Sequence, residues 1–454
     1  MQSLYLNNFF KNEKEMKKIN ILIAACVMIS QVLVAQGTKE VMVDGLKVII
    51  RNTPKDVIST RLFVKGGTAN YTKEKEGVEA LAFGMAMSSG TKKLDKIAFN
   101  DAAEKIGTSF SSSSQLDYGD LSMICLKPFW DKSWDLFTDA VLNPSFDAKE
   151  FELQKEQSLS NAKQQEADPD GYLNILAMTE TFKGRNYAKL PDGSVESLTN
   201  ITLDDVKKHY AQTLGKKRCF LVIVGNVTEA EVVAKVKASL AKMALGTAAP
   251  VENKLAITKG SENIIDRDIA TNYLMGIMSA PSLGLPEGVQ IDLAMNILYD
   301  RFFVELRTKR SLSYAPAAGY ARGATTSPYS YLYISTTDPK KALDVMVMLL
   351  DSVKKNGFTE KELKDMRQGY LTNYYQKLET SSAQSAALGR SEVTGSWKID
   401  DTFTDKVNAT SLKDVNRTFD KYTAAIKWTY LGKKDAVQKS DFKQTKHDIL
   451  EPPY

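Results

Sequence analysis

The chain repeats one arrangement of residues at long range, and that repeat limits its folds more than any single motif does. Asn143-Pro144-Ser145-Phe146-Asp147-Ala148-Lys149-Glu150 introduces a long polar stretch that runs to Gln165. Asn356-Gly357-Phe358-Thr359-Glu360-Lys361-Glu362 introduces another, to Leu378. In each, Asp147 or Thr359 is placed to cap a helix, with Glu150 or Glu362 three residues on to complete a capping box. Further along, Asn200-Ile201-Thr202-Leu203-Asp204-Asp205-Val206 leads a helix into the apolar run Arg218 to Gly225. Asn408-Ala409-Thr410-Ser411-Leu412-Lys413-Asp414-Val415 leads another into Ala425 to Gly432. The offset is roughly 210 residues each time, too long for a solenoid and suited to a duplicated domain. The expected fold is α+β: two duplicated domains, each an antiparallel-dominated sheet covered by helices on one face.

The elements between these markers fit that plan. Glu40 to Ile50 reads as two strands around an Asp44-Gly45 turn, and Val57 to Lys65 as a strand closed by Gly66-Gly67. Glu76 to Met87 reads as a helix with Val78, Leu81, Ala82 and Met85 on one face. Ser111 to Ser114 and Asp120 to Leu126 are further strands, and Trp130 to Val141 a helix. In the second half Tyr329 to Ser335 is a strand and Pro339 to Lys354 a helix. Residues 37–245 are expected to form the N-terminal domain and 263–454 the C-terminal one. A linker over 246–262 opens with Gly246-Thr247-Ala248-Ala249-Pro250.

Residues 1–36 are of another kind. Lys17 and Lys18 precede the apolar run Ile19 to Val34, which ends at Ala35-Gln36; this is the pattern of a secretory signal peptide, with Met16 the more natural start. Ile23-Ala24-Ala25-Cys26 resembles a lipoprotein cleavage box, but apolar sequence continues well past Cys26. The expected location is therefore exported, periplasmic, with lipidation at Cys26 the lesser option. No other run is long and apolar enough to span a bilayer. The formal charge is only +5, and no basic stripe interleaved with aromatics supports nucleic-acid binding. Cys125 and Cys219 lie in apolar runs and are expected as buried free thiols, although spacing alone does not decide their pairing. The only histidines are His209 and His447, far apart and without partners at metal spacing.

One corner draws attention. Phe303 to Tyr314 reads as a helix end, a turn, then a strand opening at Tyr314, with Pro316 best tolerated on an edge strand. Phe302, Phe303 and Leu306 are expected to share a buried face, turning Arg307 elsewhere. On these residues alone, a solvated Arg307 beside a half-buried Tyr314 competes with two side chains aimed into one cleft. Glu305 and Asp300 are placed to pair with Arg310 or Arg301.

In this order the residues resemble the insulinase/pitrilysin superfamily, in the half-length class of bacterial processing peptidases. The resemblance runs from about Glu40 to the end. It rests on Phe63-Val64-Lys65-Gly66-Gly67-Thr68, Gly77-Val78, Gly90-Thr91, Asp168-Pro169 and the Arg307/Tyr314 corner. Active members carry an inverted zinc motif, H-x-x-E-H, on the first helix. Laid on that pattern, Ala80 and Gly84 stand where the histidines belong, Phe83 where the general base belongs, and Asn161 at the third ligand. Ala and Gly have no ligand atom, Phe is no base, and an Asn amide is a weak zinc ligand. No metal or cofactor is expected in this chain.

What the resemblance implies is half a site. A tyrosine and an arginine spaced as Tyr314 and Arg307 act across a cleft, the hydroxyl donating to the oxyanion and the guanidinium holding a carbonyl or terminal carboxylate. Bulky Asn296 to Phe303 replaces the family's glycine-rich approach to that corner. The expected function is the non-metal-binding subunit of an exported heterodimeric zinc metallopeptidase, inactive alone. Zinc would sit in a similar half-length partner with intact H-x-x-E-H, and the substrate would be an unfolded peptide. The rival expectation is a catalytically inactive peptidase-fold protein that binds peptide or acts as a scaffold.

Overall fold

A computed structural model describes residues 37–445. The signal-peptide expectation, with Met16 and Cys26, and His447 fall outside that range. Among the described residues no helix is long and apolar enough to cross a membrane.

The first half contains strands β1 (Thr38–Val43), β2 (Leu46–Asn52) and β3 (Val57–Lys65), then helix α1 (Val78–Ser88). There follow β4 (Ser109–Ser114), β5 (Tyr118–Leu126), α2 (Trp130–Leu142), α3 (Ala148–Ala167), α4 (Pro169–Thr181), α5 (Leu203–Thr213) and β6 (Cys219–Gly225). The second half has β7 (Ser261–Asp266), β8 (Asn272–Ser279), α6 (Pro286–Phe302), β9 (Ala317–Tyr320), β10 (Tyr329–Thr336), α7 (Pro339–Asn356), α8 (Glu360–Lys377), α9 (Ser381–Thr394), α10 (Leu412–Tyr422) and β11 (Lys427–Gly432). Shorter helices, among them Lys96–Glu104 and Glu229–Ala238, fill the connections.

The sheets repeat as the sequence does. The first has strand order β1-β2-β6-β3-β5-β4 and the second β7-β11-β8-β10-β9. Removing β1 makes them superimposable in topology. Each has one parallel pair, β2 with β6 or β7 with β11, and is otherwise antiparallel. The caps follow suit, with one difference. The Thr359 hydroxyl and Glu362 side chain complete a reciprocal box at α8. At α3, Asp147 accepts from the Lys149 and Glu150 amides, but Glu150 itself turns to Lys96 at 2.7 Å. The second capping box is therefore half formed, because a cation lies within reach.

Each half buries its own helices against one face of its sheet, with Phe83, Phe137 and Tyr210 in the first core and Phe302, Phe419 and Trp428 in the second. The opposite faces are covered by exchange. Helix α9 of the second half packs on β3 and β6 of the first sheet, over Ile49, Phe63, Phe220, Val222 and Val224. Helix α4 of the first half packs on β8 and β11 of the second, where Ala177, Met178 and Phe182 meet Ile277 and Ala425. Polar bonds fix the register of the exchange. The Ser385 and Ser59 hydroxyls are 2.8 Å apart, and the Ser381 hydroxyl donates to the Val57 carbonyl at 2.7 Å. The Asp117 carboxylate accepts from Tyr187, from the Thr326 hydroxyl at 2.5 Å and from the Thr325 amide at 2.8 Å. A strand face that reads as apolar on both sides needs two covers, and here the second comes from the other half.

Candidate functional site

Helix α1 starts at Gly77, whose φ of 86° lies in the left-handed region and whose added Cβ would meet the Asp192 carbonyl at 2.9 Å. The half-buried Ala80 and Gly84 lie one turn apart, and a Cβ on Gly84 would approach Gln154 of α3 to 3.0 Å. Gln154 donates to the Ser88 and Ser89 hydroxyls, each at 2.9 Å. Asn161 is exposed on α3 and accepts from Gln157 at 2.9 Å. Phe83 is fully buried, edge-on to Tyr210 at 6.1 Å, and packs where Gly119 has no side chain. The face therefore offers a methyl group, a bare backbone and an amide already engaged in its own helix. These residues do not fit a zinc ion. Among the described residues, no group of three or more His, Cys, Asp or Glu side chains is gathered closely enough to hold a metal.

His209, which sequence spacing left without a partner, is buried on α5 and brings Nε2 to 3.3 Å from Glu79 Oε2 on α1. Asn70 donates to the same oxygen at 2.9 Å and Ser114 to Oε1 at 3.2 Å, while Arg218 donates to Asn70 Oδ1 at 2.9 Å. Tyr71 lies edge-on to His209 at 5.9 Å, and its phenol is pushed up by burial and then by the Glu79 charge. The pair was hidden because α1 and α5 are far apart in sequence. The internal repeat identifies its role. Gly288-Val289-Gln290 of α6 corresponds to Gly77-Val78-Glu79, and Gln290 accepts from Thr418 of α10 at 2.5 Å. The same helix-to-helix tie recurs without charge in the other half, so Glu79–His209 is a packing tie and not a remnant metal site.

The Arg307 corner is built by α6 running on into a π-helical turn over Phe303–Lys309. Leu306 is buried and its carbonyl accepts from the Leu312 amide at 2.8 Å, folding the chain back, with Ser311 at φ 53° making the reversal. Such π turns within helices are frequent at functional sites. Two expectations change here. Phe303 is half-buried rather than part of the core face, and the strand begins at Ala317, leaving Tyr314 in the bend before it. β9 is the edge of its sheet, and Pro316 sits just ahead of it.

The Arg307 guanidinium is sandwiched between rings, 4.1 Å from the Tyr314 centroid and 4.8 Å from that of Phe303; Phe303 in turn lies 6.4 Å from Tyr299. Tyr314 is 79% exposed, so its hydroxyl faces solvent. The neighbouring carboxylates are taken. Glu305 pairs with Lys309 at 2.6 Å and Arg310 at 3.1 Å. Arg301 turns away from Asp300 and grips Glu362 at 2.7 and 2.9 Å. Burial, and then the Glu362 charge, push the Asp300 carboxyl up. Among the described residues no carboxylate pairs with Arg307, and no bond or ring contact joins Arg307 or Tyr314 to α1 or α3. The corner and the α1 face are separate places on one chain.

Comparison with known proteins bears on the family and the fold. The signature of the insulinase family (peptidase family M16) matches residues 47–189, and that of the peptidase M16 inactive domain matches residues 200–370. The non-peptidase homolog YmxG of Helicobacter pylori is 21% identical over 376 residues, covering 78% of this chain and 84% of that protein. The uncharacterized zinc protease YmxG of Bacillus subtilis is 20% identical over 400 residues, covering 82% and 92%. A peptidase M16 inactive domain from Pseudomonas fluorescens has the same fold, with a TM-score of 0.79 at 19% identity over 88% of this chain and 98% of that one. The periplasmic protease PqqL of Escherichia coli superimposes with a TM-score of 0.74 at 14% identity, covering 88% of this chain and 46% of PqqL.

Proposed function

Because this chain belongs to the insulinase family of peptidases, M16, and its zinc-motif positions hold no ligand, we propose that it is the non-metal-binding subunit of an exported heterodimeric zinc metallopeptidase. A half-length partner with intact H-x-x-E-H would hold the zinc, and this chain would supply Arg307 and Tyr314 in trans. The observation that carries the proposal is the state of Arg307: a guanidinium held between two rings and left without a carboxylate, beside an exposed phenol.

That arrangement suits a peptide in the course of cleavage. The Arg307 guanidinium presents a rigid, planar fork to a carbonyl or carboxylate. The two rings restrict the fork before substrate arrives, which lowers the ordering cost of binding. In this reading Tyr314 would donate to the oxygen that becomes negative as the carbonyl carbon turns tetrahedral. Such a preorganised donor contributes about 3 kcal/mol to the transition state. β9 begins three residues after Tyr314 and has a free edge, so a peptide added there as a strand runs close to the hydroxyl. The name of PqqL, a periplasmic protease, supports the exported location.

The test is peptide cleavage by the purified chain mixed with its H-x-x-E-H partner. Tyr314→Phe keeps the ring that stacks on Arg307 and removes only the hydroxyl, so kcat should fall about 100- to 1,000-fold with little change in assembly. Unchanged turnover would refute the catalytic part and favour the rival, a non-enzymatic peptide-binding or scaffold subunit. The name of the Helicobacter relative, a non-peptidase homolog, is the observation that keeps this rival in play.

A further inference from the structure

A cavity of about 150 Å³ lies where α8, α9 and the β9–β10 loop converge, away from the Arg307 corner. Three cations line it: Arg322 from the loop, Lys377 at the end of α8 and Arg390 on α9. One carboxylate lines it as well, that of Asp400, and both of its oxygens are engaged. Oδ1 accepts from the Tyr374 hydroxyl at 2.9 Å and Oδ2 pairs with Arg51 of the first sheet at 3.0 Å. Arg322 is held in place by Asp292 at 3.1 Å and by the Phe403 ring at 4.6 Å. Among the described residues, neither Lys377 nor Arg390 has a carboxylate within ion-pair distance. Ser391 adds a second kind of signal. It lines the cavity at 6% exposure and brings a neutral hydroxyl donor to the three cations.

We propose that this cavity binds an oxyanion, the phosphate of a small ester or the carboxylate of a small acid, held by Arg322, Lys377, Arg390 and the Ser391 hydroxyl. Asp292 offsets the charge of Arg322, and Asp400 is already shared between Tyr374 and Arg51, which leaves the charges of Lys377 and Arg390 without a carboxylate among the described residues. A bound anion would supply the counter-charge that Lys377 and Arg390 lack and would accept from the Ser391 hydroxyl. Charge-assisted bonds of this kind are the strong ones, and a guanidinium fork matches both oxyanions. The volume admits an oxyanion with a short chain, and Leu283, Leu378 and Ala387 supply an apolar wall for that chain. The proposal is independent of Arg307 and Tyr314.

The test is titration of the full chain with sodium phosphate and, separately, with sodium propionate, at ionic strength held constant with sodium chloride. Heat of binding and Tm are read together. At least one of the two should bind saturably and raise Tm beyond the chloride control. Binding of phosphate alone assigns a phosphate ester, and binding of propionate as well assigns oxyanions generally. In the double variant Lys377→Gln/Arg390→Gln, binding should weaken at least about tenfold, since two charge-assisted contacts are removed. Both side chains are exposed, so the variant should fold; Lys183→Gln, on another surface, should leave binding unchanged. Absence of binding by either anion, or binding that survives in the double variant, would overturn the proposal.

Discussion

Gly389→Ala sets two effects of opposite sign against each other, and the exchange of helices between the halves decides which wins. Gly389 lies inside α9, and alanine in a helix interior is favoured over glycine by about 1 kcal/mol. Were α9 an exposed helix, the variant would be more stable than the native chain. In the structure a Cβ at this position would lie 1.9 Å from Phe63 Cζ and 2.0 Å from Cε2, roughly half of a normal contact distance of about 3.5–4.0 Å. The Phe63 ring has no escape, being buried, stacked on Phe220 at 5.0 Å and tilted against Tyr118 at 5.4 Å. Overpacking of this kind costs about 1–3 kcal/mol, and the severity of the overlap places it at the upper end. The expected outcome is a net loss of about 2 kcal/mol in urea denaturation after the helix gain is subtracted. A second variant checks the cause: Phe63→Leu combined with Gly389→Ala should be more stable than the sum of the single changes, because the shortened side chain vacates the overlap. If Gly389→Ala instead stabilises the chain by about 1 kcal/mol, helix propensity alone governs the site and α9 does not rest on the first sheet.

Other outcomes follow from individual groups. Glu79→Ala leaves Asn70, Ser114 and His209 without their shared acceptor and should cost about 2–4 kcal/mol, while Glu79→Gln, which imitates Gln290 of the second half, should cost less than about 1 kcal/mol; equal stabilities by urea denaturation would remove the tie between α1 and α5. The Lys127 hydrogen bond, with the Thr228 cap, lowers the Glu231 carboxyl from its ordinary 4.5 to about 2. A depressed carboxyl stabilises the fold above its unfolded value and loses that contribution as pH falls from about 4.5 toward 2, so the stability gap between the native chain and Glu231→Gln should close across that window. Thermal unfolding at stepped pH would show it, and a constant gap would contradict it. Burial raises the thiols of Cys125 to about 11 and Cys219 to about 12, so neither should react with a thiol reagent at pH 8 until the chain is denatured.

The parts of the fold legible in the residues are those set by neighbours a few positions apart. Capping residues, the Asp44-Gly45 turn and the apolar periodicities marked most helices and strands, and their recurrence revealed the duplication. That Ala80 and Gly84 carry no ligand atom is likewise a property of the residues themselves. The Arg307 corner was partly legible. Spacing placed the two side chains together, but the strand was set too early, because the π-helical turn and the Ser311 reversal consume residues that an ordinary helix end would not. Glu305 and Asp300 were the carboxylates in reach of Arg301 and Arg310 along the chain, yet Arg301 takes Glu362 of α8 in a bidentate grip.

Residue order alone therefore establishes two α+β halves and the residue types along α1, since periodicity, caps and side-chain chemistry act over a turn or two. It does not say which surfaces meet. The seating of α4 and α9 on each other's sheets, the burial of His209 against Glu79, and the two rings that hold Arg307 without a carboxylate all depend on packing. In the helix exchange and the His209 contact, the groups involved lie far apart along the chain. At the corner a local stack is left without a carboxylate because Glu305 and Glu362 are satisfied elsewhere. Whether a buried group finds a partner is decided by the close packing of the whole interior, which no stretch of a few residues encodes.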